Sequence, residues 1–135
     1  MSASDNETPV MFLPFADKVQ LSHEPPLETD GLVDGALLSA IAKAEVEAME
    51  RAFAAPPERA QSRTAEGRFV TSRSTIRGTL IDGTAIDYKT EVVLEIEGGV
   101  IVGVRARMDE ANAAQHRKAL QAGDFRRPAA GATAQ

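Results

Sequence analysis

The stretch from residue 67 to 109 constrains the fold more than any other part of the chain. Three runs of strand-forming residues are joined by Ile81-Asp82-Gly83-Thr84 and Glu97-Gly98-Gly99-Val100. Asp-Gly and Gly-Gly between extended runs mark hairpins, because glycine accepts the positive φ that tight turns need. Long antiparallel strands with one apolar face must curl over something that buries it. Two helices are expected to serve. After Asp34, Leu38, Ile41, Val46, Met49 and Phe53 recur at helical steps until Ala55-Pro56-Pro57, with Asp34 as N-cap. Asp109 caps a second helical run through Leu120, stopped by Gly123. Residues 18–24 alternate as a strand ended by Pro25-Pro26, and residues 59–66 form a weaker one.

Register decides which side chains meet. In the second hairpin, a two-residue Gly98-Gly99 loop groups Val92, Leu94 and Ile96 with Ile101, Gly103 and Arg105. A three-residue loop instead pairs Ile96 with Val100, Leu94 with Val102, Val92 with Val104, Thr90 with Ala106 and Tyr88 with Met108. That face is nearly all apolar, and Glu91 comes opposite Arg105 behind it. Because a one-residue slip exchanges faces, burial favours the second arrangement. The first hairpin leaves two registers open. A two-residue Asp82-Gly83 turn pairs Thr79 with Ile86 and places Arg73 and Thr75 on the apolar face. The slipped register puts Val70, Ile76 and Leu80 there and leaves Arg73 in water or beside a carboxylate. A desolvated Arg73 would need an anionic partner.

Composition removes several classes of function. A net charge of -5 and a pI near 5.0 argue against general binding of nucleic acid or anionic membranes. There is no cysteine, hence no disulfide, thiol nucleophile or thiolate metal site. His23 and His116 are far apart and lack ligand-spaced partners, so neither a metal nor a cofactor is expected. No apolar run reaches membrane-spanning length and the first residues are polar, so a cytoplasmic location is expected. Residues 1–9 and 125–135 read as disordered and residues 10–124 as one domain, with Val10-Met11-Phe12-Leu13 docking on it.

Four features in order resemble the nuclear-transport-factor-2-like superfamily, in particular its SnoaL-like, polyketide-cyclase-like branch. They are Phe15-Ala16-Asp17 leading into a strand, Gly31 ahead of the helix, the long meander, and Glu97-Gly98-Gly99-Val100-Ile101 running to Arg105-Ala106-Arg107-Met108-Asp109. The likeness spans roughly residues 15–120. It implies an α+β fold, a strongly bent antiparallel sheet forming a cone packed with helices, with a ligand pocket at its mouth. It also implies a homodimer through the outer sheet face. Members usually open with one or two amphipathic helices, where only residues 1–14 stand here. The pocket is then open, closed by a partner subunit, or covered by the helix after Asp109. The chemistry departs too. Cyclase-like and epoxide-hydrolase-like relatives carry an acid where Ala106 stands, and Thr75 replaces the acid of the hydrolase pattern that Arg73 fits. Ketosteroid-isomerase-like members need a base near Glu24 or His23, and a tyrosine from the opening helix.

His23 and Glu24 are therefore the candidate acid–base residues, the alternative being a strand-end polar pair in water. The expected pocket is lined by Leu21, His23, Tyr88, Val92, Val104, Ala106 and Met108. Arg73 and Thr75 stand at its polar edge. Tyr88 either donates to a ligand oxygen or fills the core with its hydroxyl satisfied by Arg77 or backbone. Asp87, Lys89, Glu91, Glu95, Arg105 and Arg107 read as a solvated lattice on the outer face, around an apolar island of Val93, Ile101 and Gly103. The resulting expectation is a binding or weakly catalytic domain for a small, mostly apolar molecule bearing a carbonyl or carboxylate; if it is an enzyme, isomerase- or cyclase-like proton transfer by His23 or Glu24 fits best. The other reading is a non-catalytic dimerisation module whose cone is plugged by Phe12, Phe15 or Phe69.

Overall fold

A computed structural model describes residues 13–128. The chain runs β1 (Phe15–Glu24), β2 (Gly31–Asp34), α1 (Gly35–Ala52), β3 (Glu58–Glu66), β4 (Phe69–Thr79), β5 (Ala85–Glu97), β6 (Val100–Arg107) and α2 (Glu110–Ala122). The strands make one curved, unclosed sheet in the order β2-β1-β6-β5-β4-β3. The α+β cone is as expected, with one difference: β1 lies parallel to β6, so the sheet is mixed. Both helices pack on the same face, called inner below. No helix among the described residues is long and apolar enough to cross a membrane.

Local chemistry places the helix ends. Asp34 stands at the N-cap of α1, but its carboxylate is taken by Lys18 of the neighbouring strand and makes no cap bond. Asp109 does cap α2, accepting from the Asn112 N–H at 2.8 Å. Gly123 closes α2 for a reason of space: a Cβ there would lie 1.8 Å from the Ala48 carbonyl oxygen of α1. The helices cross that closely only because the position is glycine.

Burial settles the first hairpin in favour of the slipped register. The Leu80 N–H donates to the Thr84 carbonyl at 2.8 Å, so the loop holds three residues, and Ile76 faces Tyr88 while Val70 faces Leu94. Ile76 and Leu80 are buried, whereas the rival register would have put Arg77 opposite Tyr88 and Arg73 opposite Val92 on the same face. Arg73 is thus on the outer face, opposite Glu91.

The second hairpin corrects the expected loop. Gly98 and Gly99 take φ of +59° and +81° and close a two-residue turn, with Glu97 opposite Val100 and Ile96 opposite Ile101. A β-bulge at Val102 then moves the register on by one, so that Leu94 faces Val104 and Val92 faces Ala106. The bulge restores the apolar face that the tight turn alone would have broken. Val92 and Val104 do share the inner face. Glu91 meets Arg107 rather than Arg105, and Ile101 is buried as the partner of Ile96, not part of an outer island. Tyr88 has no Met108 partner, because β6 ends at Arg107.

The core comes in two parts. Leu38 of α1 packs with Val19 and Leu21, against Phe15, Val33 and Val104. Further along, Met49, Ala52 and Phe53 pack with Ile76, Leu80, Ile86, Tyr88 and Ala119 of α2. The stripe of α1 that faces the sheet runs Leu38, Ile41, Ala48, Met49 and Ala52; Val46 points outward, 57% exposed. Phe69 is 43% exposed and plugs nothing, and Phe15 joins the first cluster at its edge. Phe12, with the rest of the 10–12 docking segment, the expected disorder of residues 1–9 and that of residues 129–135, lies outside the described residues. Phe125, placed in the expected tail, has its N–H bonded to the Leu120 carbonyl at 2.9 Å.

Candidate functional site

Between the two core clusters the inner face turns polar. One row of register partners crosses it: His23 of β1, Ala106 of β6, Val92 of β5, Ser72 of β4 and Arg63 of β3. The next row places Thr90 beside Ser74 and Gln61. All five residues of β5 and β4 in these rows and just beyond them (Ser72, Ser74, Thr90, Val92 and Leu94) are half-buried rather than buried, so the surface is reachable.

Glu45 projects from α1 toward this gap. It stands four residues after Ile41 and four before Met49, on the buried stripe of the helix. Burial pushes its carboxyl above the usual carboxylate range, against the pull of the Arg127 and His23 charges. Among the described residues it has no salt-bridge partner.

His23 is built into a pair. Its Nδ1 lies 2.6 Å from Asp30 Oδ1, and its backbone N–H donates to Asp30 Oδ2 at 3.0 Å. The Leu27 N–H also donates to Asp30 Oδ2, at 3.1 Å. The bond to His23 holds the Asp30 carboxyl below its ordinary value. An ionised Asp30 accepts from Nδ1–H, which leaves the lone pair of the imidazole on Nε2.

The other expected residues divide by face. Leu21, Val104, Val92 and Ala106 are on the inner face with His23. Tyr88 is on it too, but 1% exposed, with its hydroxyl 2.9 Å from His116 Nδ1. It fills the core, and its partner is His116 rather than Arg77 or backbone. Arg73, Thr75 and Glu24 are not at the inner site. Arg73 Nε bonds Glu91 Oε1 at 2.9 Å, Arg107 bridges Glu91 at 2.9 Å and Glu24 at 3.1 Å, and Thr75 faces Lys89. Arg73, Glu91, Arg107 and Glu24 form a continuous ion-paired band on the outer face, beside an open cleft of about 710 Å³ that Thr75, Met108 and the inner-row residues Gln61, Ser74 and Thr90 also line. The band answers the question that the first hairpin left open, since each arginine already has its carboxylate.

Glu45, Asp30 and His116 were missed by the sequence reading. Glu45 had a signal: the stripe Leu38, Ile41, Met49 and Ala52 brackets it, but the more apolar Val46 draws the eye one position on. Asp30 and His116 are brought in by the β1–β2 connection and by α2, and no local pattern marks either.

No protein-family model matches the chain, and no curated protein matches it in sequence. Solved structures do. An NTF2-like protein of unknown function from Cytophaga hutchinsonii superposes with a TM-score of 0.52 at 9% identity, over 70% of this chain and 78% of its own. A protein with a ketosteroid isomerase-like fold from Catenulispora acidiphila gives 0.51 at 14% identity, over 77% of each chain. A SnoaL-like protein from Jannaschia sp. CCS1 gives 0.50 at 15%, over 75% of this chain and 71% of its own. Identities this low speak to backbone architecture alone, and on that architecture the chain has the nuclear-transport-factor-2-like α+β cone fold.

Proposed function

We propose that the inner face binds a small, mostly apolar molecule bearing a carbonyl or carboxylate group and moves a proton on it. The observation that carries this reading is the break in the core: a carboxyl and an imidazole–carboxylate pair meet a half-open apolar surface where packing alone would place aliphatic side chains. Such polar groups cost stability at an interior position, which favours a use for them.

Each residue has a role in an isomerase- or cyclase-like step. Asp30 fixes the ring of His23, and Nε2 takes a proton from the carbon next to the ligand carbonyl. The C–H electron pair forms a carbon–carbon double bond, and the carbonyl π pair moves to oxygen. Glu45, whose burial favours the protonated form, donates a hydrogen bond or its proton to that oxygen. After the Nε2 proton exchanges with solvent, return of a proton from His23 to the same carbon, or to the γ-carbon of a β,γ-unsaturated ketone, and of the other to Glu45, restores the carbonyl and completes the exchange. Val92, Val104 and Ala106 hold the apolar body of the ligand.

The test is hydrogen exchange at the α-carbon of a cyclic ketone in D2O, followed by NMR. The protein should accelerate it, and His23→Gln or Glu45→Gln should each lower the acceleration by about 100-fold. Exchange at the buffer rate with the native protein, or undiminished exchange in the double variant, would reject the proposed chemistry.

A further inference from the structure

Along β3 to β6 the charges are sorted by face. Every carboxylate of these strands, from Glu58 and Glu66 to Asp87, Glu91, Glu95 and Glu97, stands at an outer position. Of the outer arginines, Arg73, Arg77 and Arg107 pair with them, and Arg105, opposite Val93, does not among the described residues. On β3 the inner positions carry cations instead: Arg59 is the register partner of Ile76, and Arg63 that of Ser72. Neither has a salt-bridge partner among the described residues. Arg59 is close enough to the inner surface for its charge to act on the Tyr88 hydroxyl. The Gln61 side chain, between them, donates to Ser72 Oγ at 2.9 Å and ties this strand's inner side chains to the site.

We infer that the ligand of the inner face is an organic acid, its carboxylate held by Arg63 with Arg59 alongside and its carbonyl end turned to His23 and Glu45. This rests on the reading of the site given above and narrows its substrate class. A guanidinium offers paired N–H donors that match a carboxylate, and both arginines lack a protein carboxylate that would compete. The register sets the distance. Arg63 and His23 end the same row, four strand-to-strand steps apart, about 19 Å along the arc of the sheet before curvature and side chains shorten it. The carboxylate and the reacting carbonyl must therefore be separated by several bonds. A medium-chain keto acid with its ketone far from the carboxylate fits this span, and an α-keto acid does not.

Three probes separate the possibilities: an oxo-octanoate with its ketone next to the terminal methyl, the matching carboxamide, and pyruvate. Calorimetry on the native chain should show the long keto acid binding about ten-fold more tightly than its amide, with pyruvate weaker than both. Arg63→Gln should abolish the preference for acid over amide, and Arg59→Gln should reduce it in part. Arg63 is exposed on an edge strand, so the variant is expected to stay folded, which its circular dichroism will check. Equal affinity for acid and amide, or a preference that survives replacing both arginines, overturns the carboxylate anchor and leaves ketone binding standing. If neither long probe binds, the anchor and the reading it rests on fall together.

Discussion

Tyr88 is almost wholly buried, and burial drives its phenol up to about 12 while driving His116 below its ordinary value of 6.5. Both are therefore neutral at pH 7, and the hydroxyl and His116 Nδ1 share a hydrogen bond of 2.9 Å. Tyr88→Phe would leave that nitrogen without its partner and should cost about 1–2 kcal/mol in urea unfolding. A double-mutant cycle with His116→Leu should return a coupling of about 1 kcal/mol; a value near zero would mean the bond contributes nothing. The two shifted groups also predict opposite pH slopes. His116 is held neutral in the folded state, so its share of stability is complete above 6.5 and declines as the pH falls below that toward its folded value. Glu45 has a folded value above 4.5, so its share is complete below 4.5 and declines as the pH rises through the folded value. His116→Gln should flatten the first slope and Glu45→Gln the second, measured as melting temperature against pH. Slopes that persist in these variants would assign the titrations elsewhere.

At the level of elements, α2 does work that a seventh strand would otherwise do. β5 outruns β6 at its Ala85 end, leaving an open edge there. α2 covers it with side chains: Gln115 Oε1 accepts from the Asp87 N–H at 2.7 Å and Asn112 Oδ1 from the Lys89 N–H at 2.8 Å. Replacing both Asn112 and Gln115 by Ala should speed amide exchange at Asp87 and Lys89 selectively and cost roughly 1–2 kcal/mol in all. Unchanged exchange there would show the edge protected by something else. Gly123→Ala tests the other end of the same helix. Its Cβ would strike the Ala48 carbonyl, so the variant should lose about 3 kcal/mol or separate α2 from α1. These elements were largely legible in the sequence, because caps and turn glycines act locally: Asp109 and Gly123 sit where the pattern placed them, and the Gly98-Gly99 pair does turn the chain, though in a loop of two residues rather than three. What depends on distant partners was not. The bulge at Val102 and the choice of the three-residue loop after Leu80 follow from which faces are buried in the assembled sheet, and the parallel pairing joins β1 to β6 from opposite ends of the chain. The inner positions of His23, Val92, Val104 and Ala106 could be read from alternation. Glu45 had a weaker signal, the helical stripe that brackets it, because the small residues Ala48 and Ala52 carry part of that stripe and a search for large apolar side chains assigns it to Val46.

Across the whole molecule, one sheet face is ion-paired within itself and the other holds a core in two halves with a polar gap between them. The gap is where stability and use should conflict, since Glu45, Ser72 and Thr90 occupy positions that bulky aliphatic side chains could fill. Filling them with Glu45→Leu, Ser72→Val and Thr90→Val would join the clusters around Leu38 and Met49 into one core. Each change should add about 1 kcal/mol from apolar burial, so the triple variant should melt roughly 10 °C higher than the native chain. The same variant should lose ketone-dependent proton exchange and the affinity for the long keto acid, because the acid donor and the space are both gone. A destabilised variant would mean that the gap is closed by contacts tighter than half-burial indicates. A stabilised variant that still binds and exchanges would place the chemistry away from the break in the core, and the role given to Glu45 would have to be abandoned.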